Sequence, residues 1–207
     1  MGLDTIFGNP VFEEGWELNH AKIYYLELKK IVDYLILNDI TDRAYISMLD
    51  PEKCKPYNND SLNKNYCGVS KEGTMVAMDY EGNLYPCVRF MPSSLGKDCK
   101  PLIIGNYNYG IDYNCENFKN LINISTKNMS NEECLNCPIA TGCAWCTAYC
   151  YQCYGNFDKR TTFHCLMHVA EALAAKYLEI KTDGKSNLVI PYDKGIKILP
   201  SEDFYLL

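Results

Sequence analysis

The segment ECLNCPIATGCAWCTAYCYQC, residues 133–153, carries six cysteines, and a seventh follows at Cys165 in the segment RTTFHCLMH. The whole chain of 207 residues has twelve cysteines, well above ordinary usage but below the density of a small secreted disulfide scaffold. Three kinds of structure could explain this concentration of thiols: disulfides, a zinc site and an iron–sulfur cluster. The kind that forms determines how the surrounding chain folds.

The composition is that of a protein with a hydrophobic core. A chain of this length with 47% apolar and 22% charged residues can bury a core without disulfides, as one domain or one domain plus part of another. A net charge of -6 and the lack of a basic run disfavour a nucleic-acid surface. No apolar run approaches a membrane span, and the opening MGLDTIFGNP lacks the basic start and apolar core of a signal peptide. We therefore predict a cytoplasmic protein with reduced thiols that binds neither nucleic acid nor membrane.

The spacing of the cysteines separates the three uses of thiols. Disulfides form in oxidising compartments, and Cys143, Cys146 and Cys150 are too close together to pair with one another without strain. A zinc site usually takes two CxxC pairs a dozen or more residues apart, whereas Cys134-x2-Cys137 and Cys143-x2-Cys146 have only five residues between them. An iron–sulfur cluster accepts thiolates from a closely wound loop and one distant cysteine. The spacing favours an iron–sulfur cluster, with zinc in another topology as an alternative.

Residues 1–50 read as one strand followed by one helix. The segment DTIFGNPVFEE is strand-like, and NHAKIYYLELKKIVDYLILND has helical periodicity. The predicted apolar face of this helix consists of Tyr24, Leu28, Ile31, Val32 and Leu35. A lone βα unit cannot cover such a stripe, so it either packs on the cysteine region or completes a larger α/β body.

A β-hairpin is predicted in the segment GTMVAMDYEGNLYPCV, where Gly82 supplies the positive φ of a tight turn. The hairpin carries Cys87 on its second strand, and Pro86 requires that strand to lie at an edge or to stop pairing there. Another short strand is predicted in PLIIGNYNYG, closing in a Gly-Asn turn.

The last third of the chain is predicted to hold one long helix. The segment RTTFHCLMHVAEALAAKYLEI has helical periodicity, with Thr161 or Thr162 as the N-cap and Cys165 in the first turn. Its predicted buried face comprises Phe163, Leu166, Met167, Ala170, Leu173, Ala174 and Tyr177. The tail NLVIPYDKGIKILPSEDFYLL reads as mixed strand and turn. The predicted fold class is therefore α+β.

The cysteine pattern resembles a known family. The spacing Cys67-x14-Gly82-x4-Cys87, then Cys134-x2-Cys137-x5-Cys143, a further cysteine and finally Cys165, resembles the SPASM domain. This domain is the C-terminal extension of radical S-adenosylmethionine enzymes that modify peptides and proteins, and it holds auxiliary 4Fe-4S clusters. The segments that extend the likeness are NPVFEEGW, YPCVRFMPSSLG, PLIIGN, CAWCTAYCYQ and KRTTFHCLMH. Together they are similar to peptide maturases of the ranthipeptide or sactipeptide class, which install thioether crosslinks in cysteine-repeat precursor peptides.

The resemblance covers roughly residues 9–180 and implies an organisation for the chain. Residues 1–50 would be the terminal βα piece of a partial α/β barrel with its linker. Residues 51–180 would be the SPASM-like domain, a small β-hairpin with cysteine-rich loops and helices. Residues 181–207 would form a C-terminal tail.

The resemblance also implies two 4Fe-4S clusters and their ligands. The ligands of the second auxiliary cluster would be Cys134, Cys137, Cys143 and Cys165. Those of the first would be Cys67, Cys87 and Cys146. The commonest SPASM spacing places the last of these ligands at the position of Thr147, so Cys146 lies one residue before it and Cys150 three residues after it. We assign Cys146 because its motif, CAWC, resembles the form that this subfamily has.

Three protein ligands would leave one iron of the first cluster open. In related thioether-forming maturases such an iron is thought to take a cysteine thiolate of the peptide substrate. The alternative is that Cys54 closes the site, as an upstream cysteine does in some SPASM enzymes.

Other residues near these cysteines have simpler interpretations. Cys99, Cys115 and Cys153 are predicted to be bystanders rather than ligands. His164 and His168 are predicted to pack on the helix, with a hydrogen bond to the cluster as the alternative. Trp145 would shield a cluster or belong to the core. Arg89 and Arg160 are predicted to form surface ion pairs, and the alternatives are that they balance cluster charge or meet an acidic peptide.

The cysteine motif with which radical S-adenosylmethionine enzymes cleave S-adenosylmethionine does not occur in residues 1–50. That chemistry uses a CxxxCxxC loop near the start of a barrel, and residues 1–50 contain no cysteine. The spacing occurs once, at Cys146, Cys150 and Cys153 inside the cysteine loop, where we interpret it as coincidence. The chain is thus predicted to be the C-terminal portion of a maturase, not catalytic alone, with S-adenosylmethionine bound only by the complete enzyme.

The predicted partners are a ribosomal precursor peptide and a separate radical S-adenosylmethionine catalytic domain. Two alternatives of other classes stay open. One is a stand-alone iron–sulfur module for electron transfer, and the other is a zinc-stabilised interaction domain.

Overall fold

The computed structural model describes residues 4–64, 67, 69 and 75–207. The strands are β1 Thr5–Ile6, β2 Tyr45–Ile46, β3 Ala77–Met78, β4 Asn83–Tyr85, β5 Gly105–Asn106 and β6 Gly110–Ile111. The α-helices are α1 Leu18–Leu37, α2 Asn59–Asn63, α3 Glu116–Ile122, α4 Thr126–Met129, α5 Glu132–Leu135, α6 Thr147–Tyr154, α7 Cys165–Asp183 and α8 Tyr192–Ile198. Short 3-10 turns span Ser47–Leu49, Pro51–Lys53, Val88–Phe90, Ala140–Gly142 and Ser201–Leu206. This mixture of helices and small sheets confirms the α+β class.

The chain forms two compact units. Unit 1 comprises Met1–Tyr57, Asn136–Cys143 and Thr162–Leu207, and unit 2 comprises Asn58–Leu135 and Ala144–Thr161. The cysteine-rich segment is thus divided between the units at two places, after Leu135 and after Cys143. No helix in the described ranges is both long and apolar enough to cross a membrane.

Unit 1 is built on α1 and α7, which pack against each other. The predicted helix over residues 19–39 is confirmed, and its buried residues are Ala21, Tyr25, Leu28, Val32 and Leu35. Strands β1 and β2 flank α1 and pair in parallel, with Thr5 opposite Tyr45 and Ile6 opposite Ile46. The sequence predicted the first strand only, because a strand of two residues carries no periodicity of its own.

Helix α7 begins later than predicted. Its N-cap is His164, so the prediction of Thr161 or Thr162 was wrong. The reason is a turn ahead of the helix, in which the Cys165 N–H donates to the Thr162 carbonyl at 3.0 Å. The predicted place of Cys165, in the first turn, is confirmed.

The C-terminal segment is helical, so the prediction of mixed strand and turn was wrong. Helix α8 and the 3-10 turn Ser201–Leu206 contribute Ile198 and Leu206 to the core of unit 1. Asp203 is buried there, where it accepts hydrogen bonds from Tyr25 Oη at 2.8 Å and Lys29 Nζ at 2.6 Å. These contacts with α1 fix the conformation of a segment whose local pattern is ambiguous.

Unit 2 contains an antiparallel sheet in the order β3-β4-β5-β6. The predicted hairpin is confirmed in the described residues, with Gly82 at φ 81° between β3 and β4; residues 73–74, the predicted start, lie outside them. A Cβ at Gly82 would lie 2.3 Å from the Tyr107 ring, so this turn requires glycine for two reasons. Strand β4 ends at Tyr85, which confirms the prediction that pairing stops at Pro86, a residue without an N–H. Cys87 lies two residues beyond the strand, so the prediction that it lies on the strand was wrong.

Candidate functional site

All twelve cysteines lie in the described ranges, and none of them forms a disulfide. The cysteines predicted as ligands fall in both units. We call Cys67, Cys87, Cys146 and Cys150 the unit 2 thiols, and Cys137, Cys143 and Cys165 the unit 1 thiols.

The unit 2 thiols include the three cysteines predicted for the first cluster. Burial raises the pKa of Cys87 above its ordinary value, and the Cys67 and Cys146 thiols raise it further. Hydrogen bonds from the N–H groups of Arg89 and Phe90 act in the opposite direction. Three cysteines that are far apart in the sequence therefore lie close enough to interact electrostatically.

Local structure positions two of these thiols at the starts of turns. Cys87 follows the end of β4 and is the N-cap of the 3-10 turn Val88–Phe90, whose first N–H groups have no partner within the turn. Cys146 is the N-cap of α6. At Cys87 the N–H groups at the start of the turn lower the pKa of the thiol, which opposes the effect of burial.

Cys150 lies one helical turn beyond Cys146 and is fully buried. Its Sγ accepts a hydrogen bond from the Thr161 N–H at 3.4 Å. Burial raises its pKa to about 11, and the Cys146 thiol also contributes to the rise. The structure thus places the alternative ligand Cys150 beside the chosen ligand Cys146.

Trp145 and Arg160 lie against these thiols in the interior of unit 2. Trp145 belongs to the hydrophobic core, and the Arg160 guanidinium stacks over its ring at 4.5 Å from the centroid. Arg160 is only 4% exposed, so the prediction of a surface ion pair was wrong for this residue. Arg89, by contrast, is half-buried.

The unit 1 thiols contact ionisable side chains. Cys143 follows the 3-10 turn Ala140–Gly142, and its Sγ is 4.0 Å from Nε2 of the buried His164. Cys165 opens α7, and its Sγ accepts a hydrogen bond from Lys194 Nζ at 3.2 Å. Cys137 packs at the border of the core of unit 1.

Cys134, the remaining predicted ligand, belongs to unit 2. It lies in α5, and its N–H donates to Asn131 Oδ1 at 2.8 Å. The four cysteines predicted for the second cluster are therefore divided, with three in unit 1 and one in unit 2.

His164, the N-cap of α7, and His168, within α7, have different contacts. His168 Nε2 is 2.7 Å from the Ile139 carbonyl, and Nδ1 is 3.2 Å from the Glu171 carboxylate. The prediction of a helix-packing histidine is confirmed for His168. His164 is also buried, and its Nε2 lies 4.0 Å from the Cys143 Sγ; the alternative of a hydrogen bond to a cluster stays a prediction.

Gly142 has a role that the sequence analysis missed. A Cβ at this position would lie 2.5 Å from the Lys53 carbonyl oxygen and 3.2 Å from the His168 ring. Only glycine lets the loop between Cys137 and Cys143 approach its neighbours so closely. The sequence contained an indication of this role, because Gly142 directly precedes the predicted ligand Cys143.

The remaining cysteines are distributed over both units. Cys54 is buried in the core of unit 1, where its thiol lies 3.8 Å from the Asp50 carbonyl oxygen. Burial raises the pKa of Cys54 to about 12. Cys99 and Cys115 are half-buried in unit 2, and Cys153 is exposed on α6.

The thiols are not gathered around the position of a single ion. Within the part of the chain that the structure describes, no three His, Cys, Asp or Glu side chains lie close enough together to hold one metal ion. A zinc ion lies 2.3 Å from each sulfur ligand, which requires the sulfurs to be about 4 Å apart. A cluster of several iron atoms binds each thiolate at a different iron and so accepts wider spacings.

Comparisons with known proteins give no family for the chain. No family model matches it, and neither the curated proteins nor the solved structures include a match.

Proposed function

We propose that this chain is the C-terminal, SPASM-like portion of a radical S-adenosylmethionine peptide maturase. In this function it binds two auxiliary 4Fe-4S clusters that support thioether crosslinking of a ribosomal precursor peptide. The observation that carries the proposal is the proximity of Cys67, Cys87 and Cys146, which pack in one hydrophobic cluster of unit 2 and lie close enough for two of the thiols to raise the pKa of the third.

The surroundings of these thiols support a cluster site. A thiolate is the form that binds iron, and the N–H groups of Arg89 and Phe90 favour the thiolate of Cys87. Apolar side chains of the core, Trp145 and Phe90 among them, pack around the thiols, so that Cys87 is buried while Cys67 and Cys146 are half-buried. Hydrogen bonds to sulfur and low solvent exposure are the means by which proteins set the reduction potential of a cluster.

The unit 1 thiols support the second cluster in a similar way. Lys194 Nζ donates to Cys165 Sγ, and His164 Nε2 lies 4.0 Å from Cys143 Sγ. The lysine would offset negative charge on one of the four proposed ligands.

The arrangement of β1, α1 and β2 supports the proposed relationship to a barrel. Two parallel strands joined through a helix are the repeating element of α/β barrels. Residues 1–50 have this arrangement and contain no cysteine, as expected for a late βα element of such a barrel.

Anaerobic reconstitution with iron and sulfide tests the proposal. We expect about eight iron and eight acid-labile sulfide per chain, with brown colour and little zinc. Stoichiometric zinc with little sulfide after the same treatment would contradict two 4Fe-4S clusters and indicate a zinc-held interaction domain.

Peptide binding then separates a maturase from an electron-transfer module. We expect a cysteine-containing repeat peptide to perturb the spectrum of one reconstituted cluster, because an open iron accepts its thiolate. The control is the same peptide with serine in place of cysteine, which should leave the spectrum unchanged. Reversible reduction with no response to either peptide would favour the electron-transfer module.

A further inference from the structure

Arg160 is a cation in the interior of unit 2. It is 4% exposed, and the ring of Trp145 beneath it is 5% exposed. A guanidinium keeps its positive charge at all physiological pH values. Removing such a charge from water is costly unless negative or polar groups lie around it.

The contacts of Arg160 hold its charge in one place. The guanidinium stacks on Trp145 at 4.5 Å, and Nη1 donates to Ser130 Oγ at 3.3 Å. The Arg160 N–H donates to the Met129 carbonyl at 3.1 Å. Because the guanidinium is planar and stacked, the Arg160 side chain loses little conformational entropy when these contacts hold it in place.

The fixed charge lies near two of the unit 2 thiols, Cys146 and Cys150. Trp145 directly precedes Cys146, and the residue after Arg160, Thr161, donates its N–H to Cys150 at 3.4 Å. Neighbouring backbone positions therefore bring both a cation and an N–H donor to this group of thiols.

We propose that Arg160 is a positioning residue that supplies the fixed positive countercharge of the cluster held by the unit 2 thiols and raises its reduction potential. Reduction adds an electron to a group that is already anionic, so a nearby buried cation stabilises the reduced form more than the oxidised form. The inference rests on the proposed function, because it requires a cluster at these thiols.

A potentiometric titration of the full chain tests this role. The variants are Arg160→Met, which removes the charge and keeps an apolar side chain on Trp145, and Arg160→Lys, which keeps the charge. Arg43→Met is the matched control, since it removes an exposed arginine from unit 1. Each protein is reconstituted, its iron and sulfide are measured, and the two reduction waves are followed by electron paramagnetic resonance.

We expect Arg160→Met to make reduction at one wave at least tenfold less favourable, which is a shift of about 59 mV to lower potential for one electron. The other wave should not move, and it serves as an internal control. Arg160→Lys should keep most of the wild-type potential, and Arg43→Met should match the wild type at both waves.

The outcomes separate this inference from the proposed function. If the wild type takes up no iron and sulfide, the proposed function fails and the inference fails with it. If the wild type binds both clusters and Arg160→Met leaves both potentials unchanged, only the inference fails. If Arg160→Met loses iron while Arg160→Lys retains it, the positive charge is required and the inference stands. Equal loss of iron in both variants would show that packing on Trp145 matters rather than charge, and would overturn it.

Discussion

The thiols of the two units differ in what surrounds them. Cys87 and Cys150 of unit 2 receive backbone N–H groups, and the buried guanidinium of Arg160 lies near Cys150. Cys143 and Cys165 of unit 1 instead contact the side chains of His164 and Lys194. The unit 2 thiols are therefore surrounded by backbone amides and a buried arginine, whereas two of the unit 1 thiols meet single ionisable side chains.

The two units also differ in how they are held together. Unit 1 has α1 of 20 residues packed on α7 of 19 residues, with the C-terminal segment closing the core. In the described part of unit 2 the helices are short, and α6 has 8 residues. Short elements bury little surface each and gain more from a shared metal group. Unit 2 is therefore expected to depend more on its cluster than unit 1 does.

The largest expected effect is the loss of one cluster without the other. Cys87→Ala should remove about four iron and four sulfide per chain, because it deletes a ligand within unit 2. Cys143→Ala should remove a similar amount through the second cluster, and the double variant should retain almost none. Iron and acid-labile sulfide after reconstitution are the measurement. Cys99→Ala is the control, and equal loss in this variant would refute the ligand assignment.

Removal of the clusters should destabilise unit 2 more than unit 1. The chain has two tryptophans, Trp16 in unit 1 and Trp145 in unit 2, so Trp145→Phe and Trp16→Phe variants each report on one unit. Between reconstituted and cluster-free protein, the free energy of unfolding reported by Trp145 should fall by on the order of 5 kcal/mol. The value reported by Trp16 should fall by less. Urea titrations measure both, and a larger loss at Trp16 would reverse the comparison.

Gly142→Ala should destabilise unit 1 by about 2 kcal/mol, because the added methyl group overlaps the Lys53 carbonyl oxygen. Gly184→Ala is the matched control in the same unit. Gly184 has φ 73° and open space around its Cβ position, so alanine there costs only about 1 kcal/mol of backbone strain. Urea unfolding followed at Trp16 compares the two variants. A smaller cost at Gly142 than at Gly184 would mean that the loop accommodates a side chain.

The smallest expected effect is on the potential of the second cluster. Lys194→Met removes the ammonium group that contacts Cys165. Reduction of that cluster should become less favourable, by a factor smaller than about ten. The effect is smaller than at Arg160 because Lys194 is only half-buried and solvent screens its charge. The potentiometric titration used for Arg160 measures it. Lys197→Met, at an exposed position of the same helix, is the control, and an equal shift there would exclude a specific contact.

Features that depend on local sequence were predicted well. The apolar spacing of α1 and α7 and the glycine of the β3–β4 turn reflect short-range sterics and amphipathicity. The end of β4 before Cys87 follows from the missing N–H of Pro86. The N-cap of α7 was misplaced because either threonine is a good cap by composition, while the turn at Thr162 decides the start.

By itself, the sequence determined the α+β class, the two long helices, the hairpin turn and a cysteine pattern whose spacing favours an iron–sulfur cluster. The tertiary structure alone decided that Cys67 and Cys146 approach Cys87, that Arg160 is buried on Trp145 and that Lys194 reaches Cys165. It also decided that the C-terminal segment is helical, through the buried contacts of Asp203. The physical reason is range: helix periodicity and turn chemistry act over a few residues, whereas burial and charge contacts join segments whose separation along the chain carries no local signal.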